Sequence, residues 1–434
     1  MAGKAVKVGL LGLGTVGGGV AQLLAGEGPR FRRRLGADLV LKTAVDLDPK
    51  LAAGLGLDPG VYASDARAML ADPDIDIVAE LIGGLEPART LVLGAIAAGK
   101  HVATANKALL AHHGAEIMAA AKARGVSVAF EAAVGGGIPL IKSLKEGLAA
   151  NQITRALGIL NGTCNYILSR MSSEGAPFNE VLAQAQALGF AEADPSFDVQ
   201  GTDTAHKLAI VAALATGAWP RLAEIHTEGI CDITPLDIRF AGEFGFKVKL
   251  LACLAAGEGR AEARVHPALV PQGHLLAAVE GPMNALHLTG DWVGPVLLYG
   301  QGAGRRPTTS AVVGDILDLA RDILAGCPAR VPGLGEAEDG RGPLELAPLA
   351  EVRCQYYFRF TAQDKPGVLA AISRVLGEHH ISIEAVLQKG RQDLGPVPIV
   401  MLTHEAREAD VQAALAVINA LPVIAQPTLL IRVV

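Results

Sequence analysis

Gly12-Leu13-Gly14-Thr15-Val16-Gly17 decides how the first third of the chain folds. The run matches Gly-x-Gly-x-x-Gly. In that pattern the first glycine permits a tight turn, the second lets the backbone approach a pyrophosphate, and the third lets a helix pack close to a strand. Alone, it could be a Gly-rich turn with no ligand. Here it follows the β-branched run 6–11 and opens the helical run 16–24, which is the context the fingerprint requires. The start of that helix would offer unpaired N–H groups to an anion.

Outward from this loop, residues 39–45, 75–81, 101–104 and 126–130 read as strands, and 86–98 and 114–124 as helices. Such alternation implies a parallel sheet covered on both faces, so the expected class is α/β with a Rossmann-type domain over residues 1–130. Asp46 follows the second strand, 34 positions after Gly12. An acidic residue there binds a ribose 2′-OH and repels a 2′-phosphate. The spacing exceeds the usual roughly 20, and an insert around Arg30–Arg34 accounts for the excess. NAD is therefore preferred on this reading, with NADP left open.

Residues 131–327 change pattern and read as a second, α+β domain that binds substrate, with 305–327 able to pack back on the first. Residues 328–350 are rich in Pro and Gly, carry Glu336, Glu338 and Asp339, and read as a linker. Residues 351–434 fit a βαββαβ module, with a strand at 356–360, an Asp364-Lys365-Pro366-Gly367 turn and a helix over 368–378.

Composition narrows the class. The chain has 434 residues, 50% hydrophobic and 19% charged, which excludes a disordered chain. Aromatics at 4% and a net charge of −6 without a long basic run argue against nucleic acid and anionic membrane as partners. Five cysteines, no two closer than 22 positions, form neither a disulfide framework nor a zinc site. No apolar run reaches the roughly 18 residues of a membrane span, and the N-terminus carries no signal-peptide core. A cytoplasmic location is expected.

Three stretches place polar groups in apolar surroundings. Thr104-Ala105-Asn106-Lys107 lies at the carboxyl end of a strand, the edge where open α/β sheets bind ligands. Lys107 there would reach both nicotinamide and substrate, unless it only points into solvent. Glu192, Asp198 and Asp203 follow the run Gly189-Phe190-Ala191 and suit a cationic amino group. Lys207 is four residues after Asp203, on the same helix face, and leads into an apolar helix, a setting for proton transfer. The same pair reads equally as a salt bridge in a helix's first turn. Glu131, with the backbone of Val134, Gly136 and Ile138, would offer oxygen ligands to a hard cation, or form a hinge. Cys164, in Asn161-Gly162-Thr163-Cys164-Asn165, is the one thiol in a polar loop and a candidate nucleophile.

In this combination the segments resemble homoserine dehydrogenase. So do Gly245-Phe246-Lys247-Val248-Lys249-Leu250, Val265-His266-Pro267 and Gly300-Gln301-Gly302-Ala303-Gly304 with Pro307-Thr308. The resemblance runs in order over residues 5–325. The C-terminal module resembles an ACT domain, a ferredoxin-like regulatory fold, through Asp364-Lys365-Pro366-Gly367-Val368-Leu369.

The resemblance implies interconversion of L-homoserine and L-aspartate 4-semialdehyde with NAD or NADP, in threonine and methionine biosynthesis. It makes Lys207 the acid/base at the substrate's C4 oxygen and sets Lys107 between nicotinamide and substrate, leaving open which lysine moves the proton. Glu192 and Asp203 would bind the amino-acid part, with Asp198 in the same pocket. Glu131, Val134, Gly136 and Ile138 would hold a monovalent cation, sodium or potassium. Gly12 to Gly17, Asp46, Thr104, Asn106 and Lys107 would line the cofactor site, and Gly302 and Gly304 would close over it, with Gln301 where Pro is common. The stretch 160–207 would carry a dimer sheet in a homodimer or homotetramer. L-Threonine would bind the ACT module near Gly367, and deletion of 351–434 would abolish its inhibition. Two rival readings are an aspartate-semialdehyde dehydrogenase with Cys164 as nucleophile and a nucleotide and amino-acid sensor without turnover.

Overall fold

The computed structural model describes residues 5–257, 259–336, 342–388 and 396–434. The elements that matter for function are, in chain order, β1 (Ala5–Leu11), α1 (Thr15–Gly26), β2 (Asp38–Val45), β3 (Tyr62–Ala63), β4 (Ile77–Glu80), β5 (His101–Thr104), α2 (Lys107–Arg124) and β6 (Val128–Ala129). Then come α3 (Gly162–Glu174), α4 (Thr202–Thr216), β7 (His226–Thr227), α5 (Pro235–Glu243), β8 (Phe246–Ala256), β9 (Arg260–Pro271) and α6 (Arg305–Ala325). The last are β10 (Tyr356–Gln363), α7 (Val368–Glu378), β11 (Ile383–Gln388), β12 (Pro396–Thr403), α8 (Glu408–Asn419) and β13 (Ile424–Val433).

The chain forms two compact units. One joins 1–156, 206–223 and 284–344; the other joins 157–205, 224–283 and 345–434. The units are interleaved in sequence, whereas the sequence reading divides the chain into consecutive segments and lets only 305–327 pack back on the first. Patterns of composition follow the chain, but compact units follow burial.

In the first unit a parallel sheet has the order β3-β2-β1-β4-β5-β6. This is the doubly wound arrangement expected from the strand–helix alternation, and ligands bind where its strand order reverses, outside β1 and β4. Val6, Val8 and Leu10 of β1 share a core with Val20, Ala21 and Leu24 of α1 and with Val312, Val313, Ile316, Leu319 and Ala320 of α6. The spacing on α6 is that of one helical face. A Cβ on Gly19 would lie 2.2 Å from the Thr309 hydroxyl, so glycine there lets α1 and α6 close up. The His112 ring of α2 meets the His206 ring edge-on at 5.3 Å, and a Cβ on Gly114 would strike the Trp219 ring at 2.4 Å. Thus α2, which starts at Lys107, packs against the stretch that includes Lys207.

In the second unit β8 and β9 form a long antiparallel hairpin, from Phe246↔Pro271 to Ala256↔Ala261. The C-terminal module has the ferredoxin-like strand order β13-β10-β12-β11, with α7 and α8 closing one core over Tyr356, Phe358 and Phe360. It extends the β8–β9 sheet, because β13 pairs in parallel with β9 through Ala268↔Arg432 and Leu269↔Val433. The strand expected at 356–360 is present within β10, and its Tyr357 is fully buried and, with Arg359, donates to Asp237 of α5. Of the expected linker, Glu338 and Asp339 lie outside the described residues, while Glu345 and Leu346 pair with Arg260 and Ala261. No helix among the described residues is long and apolar enough to cross a membrane.

Candidate active site

The glycine loop has the geometry that its pattern predicts. Gly12 adopts φ 91° and donates its N–H to the Val45 carbonyl at 2.8 Å. A Cβ on Gly17 would lie 1.9 Å from the Gly12 carbonyl oxygen, so packing alone demands glycine there. Gly14 differs, since a Cβ would meet nothing within 4 Å. Gly14 also precedes α1 without any side-chain cap. The helix start is thus uncapped and open at Gly14, which fits a pyrophosphate. Asp46 is half-buried at the end of β2; one carboxylate oxygen accepts from Leu13 N at 2.7 Å and the other from Asp48 N at 3.0 Å. A carboxylate that sits on the glycine loop is where a ribose hydroxyl would be read.

Between β4 and β5 the loops are tied by a residue that the sequence reading passed over. Glu80 is fully buried, and one oxygen accepts the Thr104 hydroxyl at 2.6 Å while the other accepts Ile82 N at 3.0 Å and Gly83 N at 3.1 Å. Thr104 in turn accepts Asn106 N, and Asn106 donates to the Gly84 carbonyl at 2.7 Å and caps α2 through Leu109 N. Lys107 is the first residue of α2, so this network sets its position. The signal was a lone acid in an apolar strand, Ile77-Val78-Ala79-Glu80. Replacing Glu80 by alanine strands three donors, so a loss of about 3 kcal/mol in stability is expected. Urea unfolding would read it, with weaker dinucleotide binding in titrations of the folded variant.

The acidic cluster is organised by Asn161, which is 4% exposed. Its amide nitrogen donates to Asp198 at 2.7 Å and to Asp203 at 2.8 Å, while its oxygen caps α3 by accepting from Cys164 N at 2.8 Å. Thr163 adds a hydroxyl to Asp198 at 3.1 Å. Two carboxylates thus converge on one neutral donor, an arrangement suited to an ammonium group. Asp203 is buried, and so is Lys207, one turn further along α4. Glu192 is exposed, with its carbonyl accepting from Gln186 at 3.0 Å, and is not among the groups Asn161 holds.

Comparison with known proteins now adds to the geometry. The family model described as "Homoserine dehydrogenase, NAD binding domain" matches residues 12–131, "Homoserine dehydrogenase" matches 139–317, and "ACT domain" matches 356–423. A homoserine dehydrogenase of Neisseria gonorrhoeae is 44% identical over 99% of this chain and 98% of its own length. The crystal structure of a homoserine dehydrogenase from Thiobacillus denitrificans superimposes with a TM-score of 0.93 at 48% identity, covering 100% of this chain and 99% of that one. The chain belongs to the homoserine dehydrogenase family. A hyperthermophilic archaeal homoserine dehydrogenase, solved in complex with NADPH, matches at TM-score 0.63 and 27% identity over 73% of this chain and 97% of that one.

As a homoserine dehydrogenase the chain is an NAD(P)-dependent oxidoreductase with an ACT module. The rival reading through Cys164 is not favoured. Its thiol is fully buried and hydrogen-bonds the Asp198 carbonyl at 3.2 Å, whereas a nucleophile has to be reached by substrate.

The Glu131 side chain is held by the backbone that follows it. Its two carboxylate oxygens accept from Ile141 N at 2.8 Å and Lys142 N at 2.9 Å, the orphan donors that open the short helix Leu140–Lys142. Burial raises its carboxyl above the ordinary range. The Ile138 carbonyl accepts from Leu140 N at 2.7 Å. Gly136 and Gly302 do meet, since a Cβ on Gly136 would lie 2.5 Å from the Gly302 carbonyl oxygen, and Gly137 N donates to the Gln301 carbonyl at 3.1 Å. Gly304, at φ 113°, starts α6. Asn284, unmarked in the sequence, is packed against Gly302, and among the described residues neither amide atom has a partner although it is 1% exposed.

Proposed function

We propose that the chain interconverts L-homoserine and L-aspartate 4-semialdehyde in the cytoplasm, as a homodimer or homotetramer, with NAD the better dinucleotide. The observation that carries the substrate reading is the convergence of Asp198 and Asp203 on Asn161. Those carboxylates bind the ammonium of the amino acid, and Glu192 closes on the same group. The dinucleotide, when bound, supplies hydride exchange at nicotinamide C4. Lys207 takes the proton from the C4 hydroxyl of homoserine, and returns it in the reducing direction. Lys107, on the helix packed through His112 and His206, holds nicotinamide and substrate in register.

The preference for NAD rests on Asp46, whose charge disfavours a 2′-phosphate. A monovalent cation is assigned to the turn at 131–138, held by Glu131 and by the carbonyls of Val134, Gly136 and Ile138. The Asn284 amide beside Gly302, without a partner among the described residues, supports a polar site there. L-Threonine is the assigned effector at Gly367, which starts α7 at φ 89° with no side-chain cap.

The test is nicotinamide absorbance in the full chain with L-homoserine and either dinucleotide, with and without L-threonine and sodium or potassium. Homoserine-dependent reduction is expected, with kcat/KM at least about tenfold higher for NAD, the equivalent of 1.4 kcal/mol. Silence with both dinucleotides in folded protein would refute the reading; equal rates would refute the role of Asp46. Deleting 351–434 is no longer a clean experiment, because it would strip β13 from β9 and leave buried Asp237 without Tyr357 and Arg359.

A further inference from the structure

Arg432, on β13 of the C-terminal module, is 1% exposed. Its guanidinium donates to both oxygens of Glu408 at 2.8 and 2.7 Å, and to both oxygens of Glu228 at 2.9 and 3.0 Å. Glu408 lies in the module, but Glu228 does not: it follows β7, and its own N–H donates to the Val265 carbonyl of β9 at 2.8 Å. The next residue, Gly229, has no room for a side chain. A Cβ there would lie 2.2 Å from the Val199 carbonyl oxygen and 2.6 Å from Gln200 Cα. Ile230 N donates to that same Val199 carbonyl at 2.8 Å. On the other side, a Cβ on Gly201 would lie 3.0 Å from the Glu228 carbonyl oxygen.

Residues 199–201 lie in the four-residue segment, 199–202, between Asp198 and Asp203. Their backbone sets how far apart those two carboxylates stand when Asn161 bridges them. Backbone pressed on backbone has no side-chain play to absorb a shift. A displacement of Glu228 is therefore passed to the pocket rather than damped.

We infer that Glu228, held by Arg432, is a positioning residue for the amino-acid pocket, and that this ion pair ties the C-terminal module to substrate affinity. The inference rests on the assignment of Asp198 and Asp203 to the substrate ammonium. Glu228 touches neither substrate nor cofactor and acts through Gly229 and Val199. Its loss should weaken homoserine binding while sparing dinucleotide binding and the chemical step.

The experiment compares the full-length chain with Glu228→Ala, Glu228→Gln and Gly229→Ala, by steady-state kinetics and by calorimetric titration with L-homoserine. Glu228→Ala should raise KM for homoserine about tenfold, with kcat and the dinucleotide KM within about twofold. Glu228→Gln keeps one acceptor for Arg432 and should recover most of that loss. Gly229→Ala, which leaves the ion pair but pushes on Val199, should raise the homoserine KM in the same way. Unchanged homoserine KM in folded Glu228→Ala and Gly229→Ala would overturn the inference, as would parallel rises in both KM values. If Glu228→Ala does not fold, Gly229→Ala and Glu228→Gln decide by the same criteria. Wild-type protein that neither binds nor oxidises homoserine would instead sink the substrate assignment, and the inference with it.

Discussion

Lys207→Ala is expected to lower kcat for homoserine oxidation by about 10²–10⁴-fold, the span set by loss of a general acid/base. Lys207 is 8% exposed on a helix whose next residues, Leu208 to Ala213, are all buried. Water that replaces the amine in such a place is poorly held and poorly basic, so little activity should survive. Lys207→Arg keeps the charge but not a proton that can be given up, and should be nearly as inactive. In both variants the chemical step becomes limiting, so 4-deuterated homoserine should show close to its full kinetic isotope effect. Rates within fivefold of wild type would move the proton transfer to Lys107.

Arg432→Ala carries the largest expected cost in stability, about 3–5 kcal/mol. The substitution removes the partner of Glu408, which is 1% exposed, and of half-buried Glu228. Tyr356 and Gln412 still donate to Glu408 at 2.9 and 2.8 Å, and His226 stays 2.6 Å from Glu228, but neutral donors do not neutralise a buried carboxylate. The pH dependence follows from the same pairing. Burial works to raise the Glu228 carboxyl, but His226 and Arg432 outweigh it and bring it down to about 2. Glu408 is also lowered, since Arg432 more than offsets its burial. A carboxylate depressed in the folded state contributes its full stability above its unfolded pKa, near 4.3. That contribution is lost as pH falls through the folded value. Wild-type stability should therefore drop between about pH 4.5 and pH 2. Arg432→Ala, already without the pair, should show a flatter fall over that window. Chemical denaturation at stepped pH measures both, and parallel curves would show that the pair contributes nothing.

Local motifs were legible because their chemistry is local. Gly12 and Gly17 do within six residues what their pattern requires, one by its φ of 91° and the other by a 1.9 Å approach to the first. The βαββαβ alternation of the C-terminal module was equally plain, because each strand and helix carries its own period. Partnerships across the chain were not legible. Asn161 was quoted as part of a loop, but it joins a carboxylate 42 residues away. Glu80 reads as an odd acid in a strand until Thr104, 24 residues on, is seen to donate to it. Arg432 and Glu228 are 204 positions apart, and nothing near either residue signals the other.

The amino-acid string was sufficient for element type, for the dinucleotide loop and for the family, since each depends on residues close in sequence. Two assignments waited for the tertiary structure. The structure turned the Glu131 carboxylate to the N–H groups of Ile141 and Lys142, because a helix start exposes donors that an adjacent acid satisfies. It also merged the C-terminal module with β9 through β13 instead of leaving it on a tether. In each case the deciding term was satisfaction of a buried group by a partner remote in sequence or of a type that pattern does not record, a quantity that exists only once the chain is folded.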